Sequence, residues 1–175
     1  LAISDEILLK VDKAARYIGG EVNSVMKDKN EVDIRFAMCF PDVYEIGMSN
    51  LGMMILYNMF NQREDVWCER LFSPWPDLDK VMREKNFDFL GITIGYEMCY
   101  TNILQVLDLS GIPLKSADRG EDFPIVIGGG ACAYNPEPLA PFCDMFYIGE
   151  GETVYDALFD AYKANKEAGG SREEF

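Results

Sequence analysis

Residues 124–139 read PIVIGGGACAYNPEPL. The run Ile125-Val126-Ile127 is short, apolar and β-branched, the composition of a strand buried on both faces. Gly128-Gly129-Gly130 ends it, and Pro136 and Pro138 then bias the chain away from an immediate helix. Glycine has no Cβ, so a bound group can approach the backbone there. Strands too apolar to face water belong to a parallel sheet covered on both sides. In such sheets ligands bind beyond the carboxyl ends of the strands.

The same punctuation repeats on either side. Residues 32–40 read as a strand, 51–62 as a helix rich in Met and Leu, 66–71 as a second strand and 78–85 as a short helix. Residues 89–94 form a third strand, and Thr101 caps a helix to Ser110 that Gly111 and Pro113 stop. Residues 125–127 and 145–148 supply strands four and five, and Val154, Leu158, Ala161 and Tyr162 mark a last helix. The predicted fold is α/β: a doubly wound, mostly parallel five-stranded sheet of Rossmann-like type. Ahead of it, Ile3, Ile7, Leu8, Val11, Ala14, Ala15 and Ile18 recur at helical spacing, with Ser4 as N-cap and Gly19-Gly20 as stop. The chain is therefore divided into a helical arm (1–30), the sheet domain (31–165) and a linker rich in Gly, Lys and Glu (166–175).

Bulk properties narrow the function. The net charge is −14, with 30 acidic against 16 basic residues, so this surface repels phosphate backbones and direct nucleic-acid binding is excluded. No apolar run reaches the roughly 20 residues of a membrane span and no signal-peptide pattern opens the chain, which predicts a soluble cytoplasmic protein. The five cysteines form no C-x-x-C pair and there is no histidine, which removes the common zinc spacings and imidazole chemistry. The cysteines read as reduced and structural.

The informative residues follow the strands. Pro41-Asp42-Val43-Tyr44-Glu45-Ile46-Gly47 comes after the first, Gly95-Tyr96-Glu97 after the third, the three glycines after the fourth, and Gly149-Glu150-Gly151-Glu152 after the fifth. Each alone is ordinary turn chemistry; together at one edge they form a ligand cleft. Tyr44, Tyr96, Tyr100 and Tyr134 either line that cleft or fill it. Glu45, Glu97, Glu137 and Glu150 read as solvated or helix-capping, and Trp67 and Trp75 as core or interface anchors. Residues 128–133 also satisfy G-x-G-x-x-A, but that fingerprint needs a helix to open there and hold pyrophosphate, and the prolines oppose one. A dinucleotide- or flavin-binding redox domain is the weaker alternative.

Taken in order, Asp42-x-Tyr44-x-x-Gly47, Thr93-x-Gly95 and Gly128-Gly129 resemble the D-x-H-x-x-G, S-x-L and G-G pattern of cobalamin-binding domains. With FPDVYEIGMSNLG, GYEMCYTNIL, NPEPLAPFCD and FYIGEGE, residues from about 30 to 160 resemble the N-terminal domain of radical S-adenosylmethionine proteins, in a subgroup described broadly as Fe–S oxidoreductases. The resemblance implies a small-molecule cofactor, cobalamin, held at Asp42, Tyr44, Gly47, Thr93, Gly95, Tyr96, Gly128, Gly129, Gly130, Gly149 and Glu150. Tyr44 stands at the position of the cobalt-ligating histidine. A phenol with a pKa near 10 costs about 4 kcal/mol to ionise at pH 7, so the implied binding is without a protein imidazole beneath cobalt. Gly95 replaces an apolar residue, and relatives carry an extra segment near the junction of Asn86 and Phe87.

No C-x-x-x-C-x-x-C triad is present to hold a [4Fe–4S] cluster and S-adenosylmethionine. The resemblance thus implies that both belong to a barrel outside this sequence, with which this domain is partnered, and that the domain alone catalyses nothing. A cofactor-free docking module with a filled cleft is the remaining alternative.

Overall fold

The computed structural model describes residues 8, 9, 13–16, 18–73 and 87–175. The predicted helix over 78–85, the cap Ser4, Trp75 and the Asn86–Phe87 junction lie wholly or partly outside them, as does most of the arm's stripe.

The described chain runs β1 (Ile34–Phe40), α1 (Tyr44–Met48), α2 (Leu51–Gln62), β2 (Val66–Phe72), β3 (Phe89–Thr93), α3 (Tyr100–Leu109), β4 (Ile125–Gly129), β5 (Met145–Phe146) and α4 (Tyr155–Glu167). All five strands are parallel, in the order β2-β1-β3-β4-β5. From β1 the chain builds the sheet first to one side and then to the other, so the switch point lies between β1 and β3. β3 and β4 are buried along all but their last residue, which explains their unbroken apolar runs.

Each face of the sheet carries its own core. On one, Phe36, Phe60, Phe89, Tyr155 and Phe159 pack β1 and β3 against α2 and α4. Phe36 meets Phe60 edge-on at 5.0 Å, and Phe60 lies 4.6 Å from Tyr155. Each such buried ring contributes about 1.5–3 kcal/mol of burial. On the other face Ile92, Ile94, Ile103, Val106, Leu107 and Val126 pack β3 and β4 against α3.

Local signals account for most boundaries. Asn50 caps α2 by accepting the Met53 amide hydrogen bond at 2.9 Å. Gly111, at φ +70°, ends α3 while the Ile112 amide reaches back to the Leu107 carbonyl at 2.9 Å. Four expectations change. Thr101 is not the cap of α3: a 3-10 turn, Glu97–Cys99, winds straight into the helix, so the first turn forms earlier and no side chain caps it. Strand one begins at Ile34 rather than residue 32, and strand five closes at Phe146 rather than 148. The loop after β1 also holds the short helix α1, which its glycine and proline concealed.

Both flanking segments touch the sheet domain. Before β1, the Val25 amide donates to the Tyr57 hydroxyl at 2.7 Å and the Trp67 indole donates to the Val25 carbonyl at 3.1 Å. Of the predicted arm, Ala14–Arg16 form a single 3-10 turn with no buried residue. At the other end, α4 takes in Lys166 and Glu167 of the segment read as a linker. Phe175 packs 5.2 Å from Tyr162.

Candidate functional site

The parallel strands deliver every predicted site residue to the carboxyl edge of the sheet, but not to one place. Asp42, Thr93, Gly95, Tyr96 and the three glycines converge at the switch point and beside it. Tyr44 and Gly47 turn toward β2. Gly149 and Glu150 form the next loop along.

At the switch point, Asp42 follows β1 and Tyr96 follows β3. The Tyr96 hydroxyl donates to Asp42 Oδ2 at 2.8 Å, and the Val43 amide donates to Oδ1 at 2.7 Å. The hydrogen bond to Asp42 pushes the Tyr96 phenol above its ordinary pKa, because the bond is lost when the phenol ionises. Asn102, from α3, donates to the Pro41 carbonyl at 2.9 Å and holds the same loop from behind. Asn102 carried no signal in the sequence, since its role depends on where α3 crosses β1.

The glycines of β4 divide by face. Side chains alternate along a strand, so Gly129 shares with Ile125 and Ile127 the face covered by α2 and α4. Its register partner Thr93 points the same way. A Cβ on Gly129 would find nothing nearer than the Tyr147 carbonyl oxygen at 4.0 Å, and one on Gly95 nothing within 4 Å. Gly128 faces the opposite core, where a Cβ would lie 2.8 Å from the Phe146 ring and 2.9 Å from Ile94 Cδ1. Read from sequence, these three neighbours shared one role; the structure separates an open position from a filled one.

Gly130 is needed for the backbone itself. Its φ is +98°, and a Cβ would sit 2.9 Å from the Ile94 carbonyl oxygen. That approach lets the Ile94 amide donate to Gly129 at 2.6 Å and the Cys132 amide donate to Ile94 at 3.0 Å, extending the β3–β4 ladder past the sheet.

Tyr44 opens α1 with its ring edge-on to Phe72 at 5.2 Å and its hydroxyl donating to Glu21 at 3.4 Å. Burial, then the Glu21 carboxylate, push its phenol upward, away from the phenolate a metal ligand needs. Gly47 accommodates the same ring: a Cβ there would lie 2.3 Å from Phe72 Cε1. Around Gly149 the Tyr147 hydroxyl donates to the Glu150 carbonyl, and Thr153 Oγ1 donates to that oxygen at 2.9 Å. Glu150 thus enters the loop by its backbone and leaves its side chain exposed.

The four tyrosines do not form one plug. Tyr134 is 74% exposed and Tyr96 42%, Tyr100 packs against the α3-side core, and Tyr44 is held against β2. Burial raises the pKa of Cys39 and Cys99, which keeps both as neutral thiols in the α3-side core. Among the described residues no three His, Cys, Asp or Glu side chains gather as a metal site, and no helix is long and apolar enough to cross a membrane.

A doubly wound α/β domain with loops from β1, β3 and β4 meeting at its switch point is thus defined. Residues 52–175 match the family of radical S-adenosylmethionine proteins, N-terminal, and the chain belongs to that family. It is similar to an uncharacterised protein of Methanocaldococcus jannaschii, 30% identical over 117 residues that span 66% of this chain and 24% of that relative. It also resembles the crystal structure of a cobalamin-binding protein from Desulfitobacterium hafniense, at a TM-score of 0.48 and 16% identity, over 74% of this chain and 59% of that one.

Proposed function

We propose that this chain is the cofactor-presenting N-terminal module of a radical S-adenosylmethionine Fe–S enzyme of the cytoplasm, and that it binds cobalamin by its nucleotide tail, without a protein ligand to cobalt. The observation that carries this is the open backbone of Gly129 beside Thr93. A flat heterocycle resting there meets no side chain on Gly129 and has the Thr93 hydroxyl beside it, while the Asp42 carboxylate follows β1, on the far side of β3. Pro136 and Pro138 stiffen the following loop, and Leu139, 3% exposed, anchors it in the core. Such stiffness lowers the ordering cost of binding. These residues fit the tail. Tyr44, committed to Phe72 and Glu21, does not fit the role of lower ligand. When bound, cobalamin supplies a cobalt centre able to carry a methyl group. This chain's residues hold it and exclude side chains from its slot. The [4Fe–4S] cluster and S-adenosylmethionine fall to the barrel, since this sequence lacks the cysteine triad.

A second reading has its own support. Phe146 and Ile94 crowd Gly128, and Tyr96 occupies Asp42, as in a cofactor-free docking module. The dinucleotide alternative loses ground, because the turn after Gly130 is a four-residue 3-10 segment, Ala131–Tyr134, and not an α-helix.

The test incubates purified protein separately with hydroxocobalamin, NADH and FMN, desalts it, and records spectra. Retained cobalamin that Gly129→Val abolishes, with the thermal transition unchanged, is the expected result. Colourless protein supports the docking reading, and cobalamin retention unaffected by Gly129→Val overturns the slot.

A further inference from the structure

β2 is an outer strand, since the order β2-β1-β3-β4-β5 gives it a neighbour on one side only. The free edge of such a strand is a template for another extended chain. Backbone groups turn alternately to the two edges of a strand. The Ile34 amide donates to the Asp65 carbonyl at 3.0 Å, so Asp65, Trp67 and Glu69 present theirs to β1 while Val66, Cys68 and Arg70 present theirs outward.

Side chains already occupy part of that outward row. Asn61, in the last turn of α2, donates from Nδ2 to the Cys68 carbonyl at 3.0 Å and accepts the Cys68 amide on Oδ1 at 3.0 Å. A neighbouring strand would make the same pair of bonds. A third bond, from Nδ2 to the Tyr57 carbonyl at 3.0 Å, fixes which way the amide faces. At the preceding outward position, Lys27 Nζ donates to the Val66 carbonyl at 2.6 Å, and also to the Asn61 carbonyl at 3.0 Å and to the Arg63 carbonyl.

Lys27 ends a segment that passes along this edge in the opposite sense to β2. Lys27 lies at Val66, and Glu21 reaches Arg70 at 3.8 Å. Between them, the Val25 amide donates to the Tyr57 hydroxyl at 2.7 Å and the Val25 carbonyl accepts the Trp67 indole N–H at 3.1 Å. Tyr57 comes from the face covered by α2, and the Trp67 side chain alternates with Val66 and Cys68 onto the other face. Val25 therefore sits between the faces, over the edge. Among the described residues no backbone–backbone hydrogen bond joins residues 21–27 to β2. The segment covers the edge without becoming a strand.

We propose that Asn61 and residues 21–27 are an autoinhibitory guard: they cover the outward backbone of β2 with side chains and so deny this edge to β2 of a second copy of the same chain. The inference stands on the fold alone and needs neither the cobalamin nor the barrel of the proposed function. The composition of the strand selects the occupant that is shut out. Val66–Phe72 is apolar but for Glu69 and Arg70. Two copies aligned antiparallel about Cys68 would set Val66 opposite Arg70 and Trp67 opposite Glu69, with no like charges facing and the outward groups of all three positions paired.

The test uses the full-length protein with a thiol reductant present, so that Cys68 cannot cross-link. Sedimentation velocity and hydrogen exchange are recorded at low and high protein concentration for the wild type and for the Asn61→Leu, Lys27→Met double variant, which keeps the side-chain bulk but not the bonds. At low concentration, exchange at residues 66–70 of the variant is expected to rise about ten-fold over the wild type. At high concentration a species of twice the wild-type mass is expected, and protection at 66–70 returns with it. Should the double variant not fold, Lys27→Met alone, which uncovers only the Val66 carbonyl, is read in the same way for a smaller effect. Three results overturn the proposal: unchanged exchange at 66–70, exposed 66–70 with the wild-type mass at every concentration, or association that leaves 66–70 unprotected.

Discussion

The hydroxyl of Tyr96 donates to Asp42 Oδ2 at 2.8 Å and so bridges the two loops that flank the switch point of the sheet. One loop follows β1, the other β3, and these strands are neighbours. Any ligand that uses Asp42 must compete with this hydroxyl. Hydrogen bonds to a charged group are worth about 1.5–3 kcal/mol when sheltered, and less here because Tyr96 is half-exposed. With the proposed cobalamin site, Tyr96→Phe is therefore expected to bind cobalamin several-fold more tightly, with at most about 1 kcal/mol of stability lost. Titration followed by visible absorbance measures it. Weaker binding in the variant would mean that Tyr96 orients Asp42 for the ligand instead of blocking it.

Two glycines of the predicted site are expected to differ sharply when given a methyl group. Gly47 faces the Phe72 ring at 2.3 Å from the new Cβ, with Phe40 behind it at 3.1 Å, so Gly47→Ala forces that ring to move. Overpacking of this kind costs about 1–3 kcal/mol. Gly129→Ala places its methyl in open space and is expected to change stability by less than about 0.5 kcal/mol. Urea unfolding of both variants checks the contrast, and equal losses would contradict the assigned spaces.

That contrast marks what a sequence can carry. The five strands, α2 and the parallel arrangement were legible because apolar runs and glycine stops are local signals: Ile125-Val126-Ile127 reads as a buried strand, and Gly111 stops α3. The glycines after β1 and β4 were also visible, as was their position at the carboxyl edge. Which of them is open was not. Gly128 and Gly129 differ only in the face to which each points, and the neighbours Phe146 and Tyr147 arrive from another strand. Tyr44 was legible as a histidine replacement, but its commitment to Phe72 and Glu21 depends on how β2 and the preceding segment pack. Non-local contacts of this sort leave no periodic trace.

Acid should expose one ion-pair network. Asp65 accepts from Arg63 at 2.9 Å and from Lys163 at 2.7 Å, and Arg63 also reaches Asp160. The Arg63 hydrogen bond first, and Lys163 with it, hold the Asp65 carboxyl well below the usual range. A depressed folded-state pKa stabilises fully above the unfolded value, near 3.9, and the contribution disappears as pH falls through the lower folded value. Asp65→Asn is thus expected to cost about 1 kcal/mol at pH 7 and to flatten the loss of stability below about pH 4. Denaturation midpoints from pH 7 to pH 2 test this; parallel curves for the two proteins would refute it.

Arg119 places a buried charge behind the loop that carries the glycines. Its side chain has no exposed surface. It donates to the Pro113 carbonyl at 2.9 Å, the Leu114 carbonyl at 2.8 Å, the Phe142 carbonyl at 2.6 Å and Asp144 at 2.9 Å. Asp144 in turn accepts the Val126 amide at 2.7 Å, so one guanidinium fixes the start of β4 and the return of the chain to β5. Lysine has the charge but not the planar fork, and cannot meet four acceptors spread this way. Removing the guanidinium leaves the three carbonyls short of a donor, while Asp144 keeps the Val126 amide and Arg172; with about 1–3 kcal/mol for each unsatisfied buried acceptor, the loss is about 3–5 kcal/mol. Arg119→Met is expected to lose that much and Arg119→Lys more than half of it, by urea unfolding. Because the segment from 139 to 144 is held from this point, the variants should also raise hydrogen exchange at residues 130–142 before global unfolding. Exchange there that rises only in step with global unfolding would leave Arg119 a plain core residue with no hold on the loop.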